Sequence, residues 1–275
     1  MKLSLILVNQ NACTFLKQAL NSLIESCKSI DYELIIVDNG SIDKSLEMLS
    51  NEFPEAQVIA NETDQGIAKA NNQGIMLSTG EYVLLVNADT ISGKDSLEKM
   101  TAFMDDHLDA GGLAVRMLSP QGRFLPESIH GLTKTWATFF KFTGFAKYLS
   151  KTRLYNRNPK DWVEEFQIAE VDILTGACML LRRSALNETG LFDERFFIFG
   201  HNIDLSYRIR LAGFKNYYFP KTYIINFESD HLAKFSWSYI KYFYGAMFIF
   251  AMKYLLPEFK LAGKPQQFSS AYEVK

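Results

Sequence analysis

The chain has 275 residues, with 29 Lys or Arg against 31 Asp or Glu, a formal net charge of −2. That balance excludes a nucleic-acid binder working through bulk positive charge. With 48 % apolar and 22 % charged residues, a disordered or low-complexity chain is excluded too.

In chain order, residues 3–8 form a continuous apolar run, the pattern of a strand buried on both faces. No small-residue cleavage site follows it, so a strand fits better than a signal peptide. Leu16, Ala19, Leu20, Leu23 and Cys27 then recur at helical spacing, with Asn11 placed to cap the helix. A strand over 33–37 ends in Asp38-Asn39-Gly40-Ser41, and a short helix over 45–49 and a weak strand over 57–60 follow. After a loop over 61–66, Ile67, Ala70, Asn71, Gly74 and Ile75 lie at helical spacing. A strand over 81–86 ends in Asn87-Ala88-Asp89-Thr90, and a helix covers 97–104. This alternation predicts an α/β fold, a mostly parallel twisted sheet with helices on both faces.

The second half is less regular. Residues 117–170 mix Gly, Pro and aromatics, which suggests a lid or acceptor-side insertion. A strand over 171–183 is broken at Thr175-Gly176-Ala177, a helix over 203–211 ends at Gly213, and 216–219 and 223–227 read as strands. Residues 1–232 therefore make one domain, 233–262 an aromatic helical extension and 263–275 a flexible tail. Within 235–256, Lys241 and Lys253 bracket an uncharged run of 11 residues, well short of the ~20 that a span needs. The helix then packs in the core, lies on a membrane surface or forms a homodimer face. Three cysteines, at 13, 27 and 178, have neither disulfide-framework nor zinc spacing. They read as free thiols, with Cys13 and Cys27 buried, in a reducing, cytoplasmic compartment.

Asn9, Asp38 and Asp89 each end a parallel strand, and ligands of open α/β sheets sit at those ends. Read alone, Asp38-Asn39-Gly40-Ser41 is a turn with a helix cap. The glycine fingerprint of dinucleotide folds is missing after the first strand, and the Walker loop is absent. A divalent metal bridging a diphosphate to Asp89 is the substitute.

Val8-Asn9-Gln10-Asn11, Asp38-Asn39-Gly40-Ser41, Asn61 with 66–74, Asn87-Ala88-Asp89-Thr90, 175–183 and 190–197 occur in an order that resembles family-2 glycosyltransferases of the rhamnosyltransferase-like type. The resemblance covers about residues 3–230. It implies a GT-A-like fold and inverting hexosyl transfer from a nucleotide diphosphate sugar to a glycan or lipid-linked glycan, in polysaccharide biosynthesis. It implies that Val8, Asn9, Asn11, Asp38, Gly66, Ala70, Asn71 and Asn87 hold the nucleotide. Asp89 would ligate Mg²⁺ or Mn²⁺, and Thr175, Gly176 and Ala177 would line the sugar.

The chain departs from that family where a Glu-Asp pair usually supplies the base: His201-Asn202 stands there, and a later His is replaced by Asn226. An Asn amide takes no proton at neutral pH. Three readings follow. His201 is the base; or Asp204, Glu228, Asp230 or His231 substitutes, with Asn202 capping the helix; or the chain binds nucleotide sugar or a partner with little turnover.

Overall fold

A computed structural model describes residues 1–130, 136, 138–140, 143, 165–227 and 236–254. Most of the expected insertion, the expected tail and the alternatives Glu228, Asp230 and His231 lie outside the described residues.

The first half follows the expected alternation: β1 (Leu3–Asn9), α1 (Cys13–Glu25), β2 (Tyr32–Asn39), α2 (Ser45–Glu52), β3 (Gln57–Asn61), α3 (Ile67–Leu77) and β4 (Tyr82–Asn87). A short β5 (Thr90–Ser92), α4 (Ser96–Asp106), β6 (Ala110–Leu118) and α5 (Glu127–His130) follow. Then come β7 (Ala169–Val171), β8 (Cys178–Arg182), α6 (Arg183–Thr189), α7 (His201–Leu211), β9 (Lys215–Asn226) and α8 (Trp237–Tyr254).

Among the described residues the strands form one sheet in the order β3-β2-β1-β4-β8-β6-β9-β5, with β7 beside β9. The block β3-β2-β1-β4 is parallel. The other half is mixed, because β8 runs antiparallel between β4 and β6. β9 is a single strand where the sequence suggests two. Its pairing with β6 slips between Val115/Phe219 and Arg116/Tyr223, a bulge that takes up Pro220, whose nitrogen has no hydrogen to donate.

The continuous apolar run of β1 has a two-faced cause. Leu3, Leu5 and Leu7 join one core with α1, α2 and α4, while Ile6 joins a second with α3, α6 and α7. A third core forms where the inner face of α8, with Phe243, Met247 and Phe250, packs on Ile203 and Tyr207 of α7 and on Trp136 and Phe140. Cys27 and Cys178 are buried thiols, and Cys13 is half-buried rather than buried. Removal from water pushes the Cys27 and Cys178 thiols up to about 12.

Candidate active site

Parallel pairing sets the carboxyl ends of β1, β2 and β4 side by side, with Asn9 opposite Asp38 and Val8 opposite Asn87. Asn9 is fully buried. Its amide donates to Asp38 Oδ2 (2.8 Å) and Ser41 Oγ (3.1 Å), and the Ser41 N–H closes on Asp38 Oδ1 (2.9 Å). Ser41 Oγ also accepts from the Asn11 N–H (2.9 Å), and Asn11 Oδ1 accepts from the Ile42 N–H (2.8 Å). Asn11 therefore stitches two loops together, in a left-handed conformation (φ 52°), and does not cap α1. The first N–H of that helix, from Cys13, reaches Asp43 Oδ2 (3.0 Å) instead.

A second loop adjoins this cluster. Asp64 Oδ1 accepts from Asn39 Nδ2 (2.6 Å) and from the Gly66 N–H (2.8 Å), and Asn39 Oδ1 accepts from the Gln65 N–H (3.0 Å). Gly66 sits at φ 80°, and a Cβ there would fall 2.6 Å from the Phe197 ring and 2.8 Å from its carbonyl oxygen. The Phe197 carbonyl accepts from the Ile67 N–H (2.7 Å), at the first turn of α3. Asn72 clasps the Phe192 backbone from both sides at 2.9 Å. Ala70 is buried and the Asn71 amide donates to the Ile67 carbonyl (3.0 Å), within its own helix. Sequence reasoning missed Phe197 and Ser41 as organisers of these loops. The Phe-Phe-x-Phe run at 196–199 marks that segment, and nothing in it singles out Phe197.

The third loop carries Thr175, Gly176 and Ala177. The Ala177 carbonyl accepts from the Asn87 N–H (3.1 Å), which fixes the loop at the end of β4. Thr175 Oγ1 accepts from the Ala177 N–H (3.4 Å). Gly176 faces the start of α7: a Cβ on it would stand 3.6 Å from His201 Nε2 and 3.8 Å from Asn202 Cβ. Asn202 lies inside the first turn and does not cap it, since Gly200 precedes the helix in a left-handed conformation (φ 86°). The Asn202 amide donates to the Leu174 carbonyl (2.8 Å).

His201 is buried, against the Phe192 ring at 5.3 Å. Burial pushes its imidazole down to about 4, although the Ile198 backbone and the Asp204 charge act the other way. It is neutral at pH 7. Asp204 is fully buried. Its Oδ2 accepts from Arg208 (2.9 Å), and its Oδ1 accepts from Tyr254 Oη and Lys253 Nζ (2.6 Å each). Asp204 thereby ties α7 to α8, a structural task that the sequence position did not suggest.

At the far side of the same rim, β5 pairs with the end of β9, Thr90 opposite Asn226. The Phe227 N–H donates to the Asp89 carbonyl (3.0 Å). Asp89 and Asn226 are both buried, and Asn226 Oδ1 has no hydrogen-bond partner among the described residues. The Asp89 carboxylate, in the turn before β5, and the Asn226 amide oxygen, at the end of β9, are of the ligand type that Mg²⁺ or Mn²⁺ prefers. No group of three or more His, Cys, Asp or Glu converges among the described residues.

Residues 4–190 match the model of "Glycosyl transferase family 2". Among curated relatives, the N-acetylglucosaminyl-diphospho-decaprenol L-rhamnosyltransferase of Mycobacterium tuberculosis is 23 % identical over 236 residues, 79 % of this chain and 73 % of the relative. The poly(ribitol-phosphate) beta-N-acetylglucosaminyltransferase TarS of Staphylococcus aureus is 26 % identical over 64 % of this chain, but over only 32 % of its own length. Of solved structures, residues 1–349 of TarS in complex with UDP-GlcNAc match with a TM-score of 0.61 at 21 % identity, over 89 % of this chain and 64 % of that one. GalNAc-T7 with UDP, GalNAc and Mn²⁺ matches with a TM-score of 0.58 at 16 % identity, over 82 % of this chain and 44 % of that one. With its GT-A-like α/β fold and a family match across more than half of its length, the chain belongs to glycosyl transferase family 2 and is a glycosyltransferase.

Proposed function

We propose that the protein transfers a hexosyl group, with inversion and with a divalent metal, from a nucleotide diphosphate sugar to a glycan or lipid-linked glycan. The observation that carries this reading is the meeting of three loops on one rim. They are the Asn9–Asp38–Ser41 cluster, the Gly66 loop under Phe197, and Thr175-Gly176-Ala177 against His201. TarS with UDP-GlcNAc and the decaprenol-linked acceptor named for the mycobacterial relative support the donor and acceptor classes.

In this reading Asn9, Asn11 and Asp38, set by their mutual hydrogen bonds, bind the nucleoside with Val8 and Asn87. The Gly66 loop and the first turn of α3, with Ala70 and Asn71, close over it. Asp89 and Asn226 would hold Mg²⁺ or Mn²⁺, which when bound neutralises charge on the leaving diphosphate. Thr175, Gly176 and Ala177 orient the sugar. The neutral imidazole of His201, at Nε2, accepts the proton of the acceptor hydroxyl. An imidazole held at about 4 is a weak base. It suffices where the hydroxyl becomes strongly acidic only as the new C–O bond forms.

Calorimetric titration with UDP, GDP and dTDP, each with and without Mn²⁺, tests the donor site. Metal-dependent binding of one of them, lost in Asp89→Ala, is expected. Absence of binding by all three at millimolar concentration would overturn the reading.

A further inference from the structure

Among the described residues, the helix α8 has two apolar faces and a packing partner on one of them. Its inner face is consumed by the third core. Its outer face shows Trp237 (81 % exposed), Ile240 (36 %), Tyr244 (56 %) and Phe248 (66 %), a stripe at helical spacing. A monomer in water gains nothing from such a stripe. No helix among the described residues is long and apolar enough to cross a membrane.

Charge identifies the occupant. The α8 segment carries Lys241 and Lys253 and no acidic residue; Lys253 is taken up by Asp193 and Asp204, which leaves Lys241 as the charge that α8 itself brings. Trp136 and Phe140, which pack against the inner face of α8, belong to a basic stretch. Residues 131–160 hold seven basic side chains, from Lys134 to Lys160, and no acidic one. The rest of the chain is left with 20 basic and 31 acidic side chains. Along the sequence, a chain with net charge −2 thus gathers positive charge in the stretch that holds Trp136 and Phe140 and leaves α8 without an acidic residue. Trp and Tyr favour the water–hydrocarbon boundary, and basic side chains favour anionic headgroups beside it.

We infer that the outer face of α8 docks on the surface of an anionic lipid bilayer, lying in its interface. The helix also touches the active rim: Tyr242 stacks on Phe197 at 4.7 Å, and Lys253 and Tyr254 hold Asp204 of α7. The inference goes beyond the donor-site reading and does not depend on it.

Flotation of the full chain without nucleotide or acceptor is the test. Vesicles of phosphatidylethanolamine and phosphatidylglycerol are compared with vesicles of phosphatidylcholine alone. The protein is expected to float with the anionic vesicles, less with the neutral ones, and less again as salt is raised. The combined variant Trp237→Ser, Tyr244→Ser, Phe248→Ser removes exposed side chains. It is expected to keep the melting temperature and lose about tenfold or more in vesicle binding. Failure to float with anionic vesicles, or equal flotation of the variant, overturns the inference. So does a dimer by light scattering that the variant converts to a non-floating monomer, since the face is then a subunit interface.

Discussion

Gly66 has the backbone conformation φ 80°, ψ 157°, which is close to closed to any side chain, and the Phe197 ring and carbonyl fill the place of its Cβ. Gly66→Ala is expected to cost about 1–3 kcal/mol from backbone strain alone and to displace Phe197 from the first turn of α3. Calorimetry should then show nucleotide affinity reduced at least tenfold; unchanged affinity would remove the Gly66 loop from the donor site. Asn202 gives the opposite kind of lesson. Its amide donates to the Leu174 carbonyl, and an Asp carboxylate there would set acceptor against acceptor. Asn202→Asp is therefore expected to destabilise the protein by about 1–3 kcal/mol without raising turnover, read from denaturant melts and a transfer assay side by side. Increased turnover would mean that the family's base can be restored and that His201 is dispensable. The sequence made Asn202 legible as a departure, because its neighbours fit a known pattern. It did not make its bond legible, because Leu174 is 28 residues away and only the packing of α7 brings the two together.

At the scale of elements, α7 and α8 are joined by a buried charge cluster. Asp204 accepts from Arg208, Lys253 and Tyr254, and Lys253 also bonds Asp193 (2.9 Å). Burial alone would raise the Asp193 carboxyl. The hydrogen bond from Arg195 and the Lys253 charge override it and hold the group far below the usual carboxylate range. Tyr254→Phe removes one donor and leaves Asp204 paired, so it should cost about 1.5–3 kcal/mol. Asp204→Ala leaves the buried Arg208 without its counter-charge and takes one of two carboxylates from Lys253, and should cost about 3–5 kcal/mol. Denaturant melts of the two variants check the order; equal costs would mean that the cluster is not what joins the helices. The elements that sequence patterns missed have physical reasons for being missed. Gly111 and Gly112 interrupt β6 as if at a turn. A Cβ on Gly111 would strike Phe214 Cβ at 2.6 Å, so close packing across the strand demands that glycine, and one on Gly112 would displace the end of the Leu174 side chain, 2.4 Å away. The three residues of β5 are too few to show a period.

For the whole molecule, the parallel block was readable because each strand is followed by the helix that covers it. The mixed half was not, since β8 inserts between β4 and β6 through contacts remote in sequence. That mixed half carries α7, and with it the group that sets the acid response of the fold. His201 binds its proton near pH 4 when folded and near 6.5 when unfolded. Between those values the unfolded chain holds more protons, so stability falls as pH drops from 6.5 to about 4, by up to ~1.4 kcal/mol per pH unit. The carboxylates of Asp193, Glu33 and Asp43 are shifted downward. Their contribution is present above the ordinary carboxylate range and is lost only as pH falls through it and below. The two losses therefore occupy different windows. Urea melts at stepped pH should show the decline from 6.5 to about 4 in the parent protein, and His201→Gln should flatten that window while keeping the steeper loss at lower pH. An unchanged slope in the variant would mean that His201 is solvated in the folded protein, and its place as a buried, neutral proton acceptor beside Gly176 would fall with it.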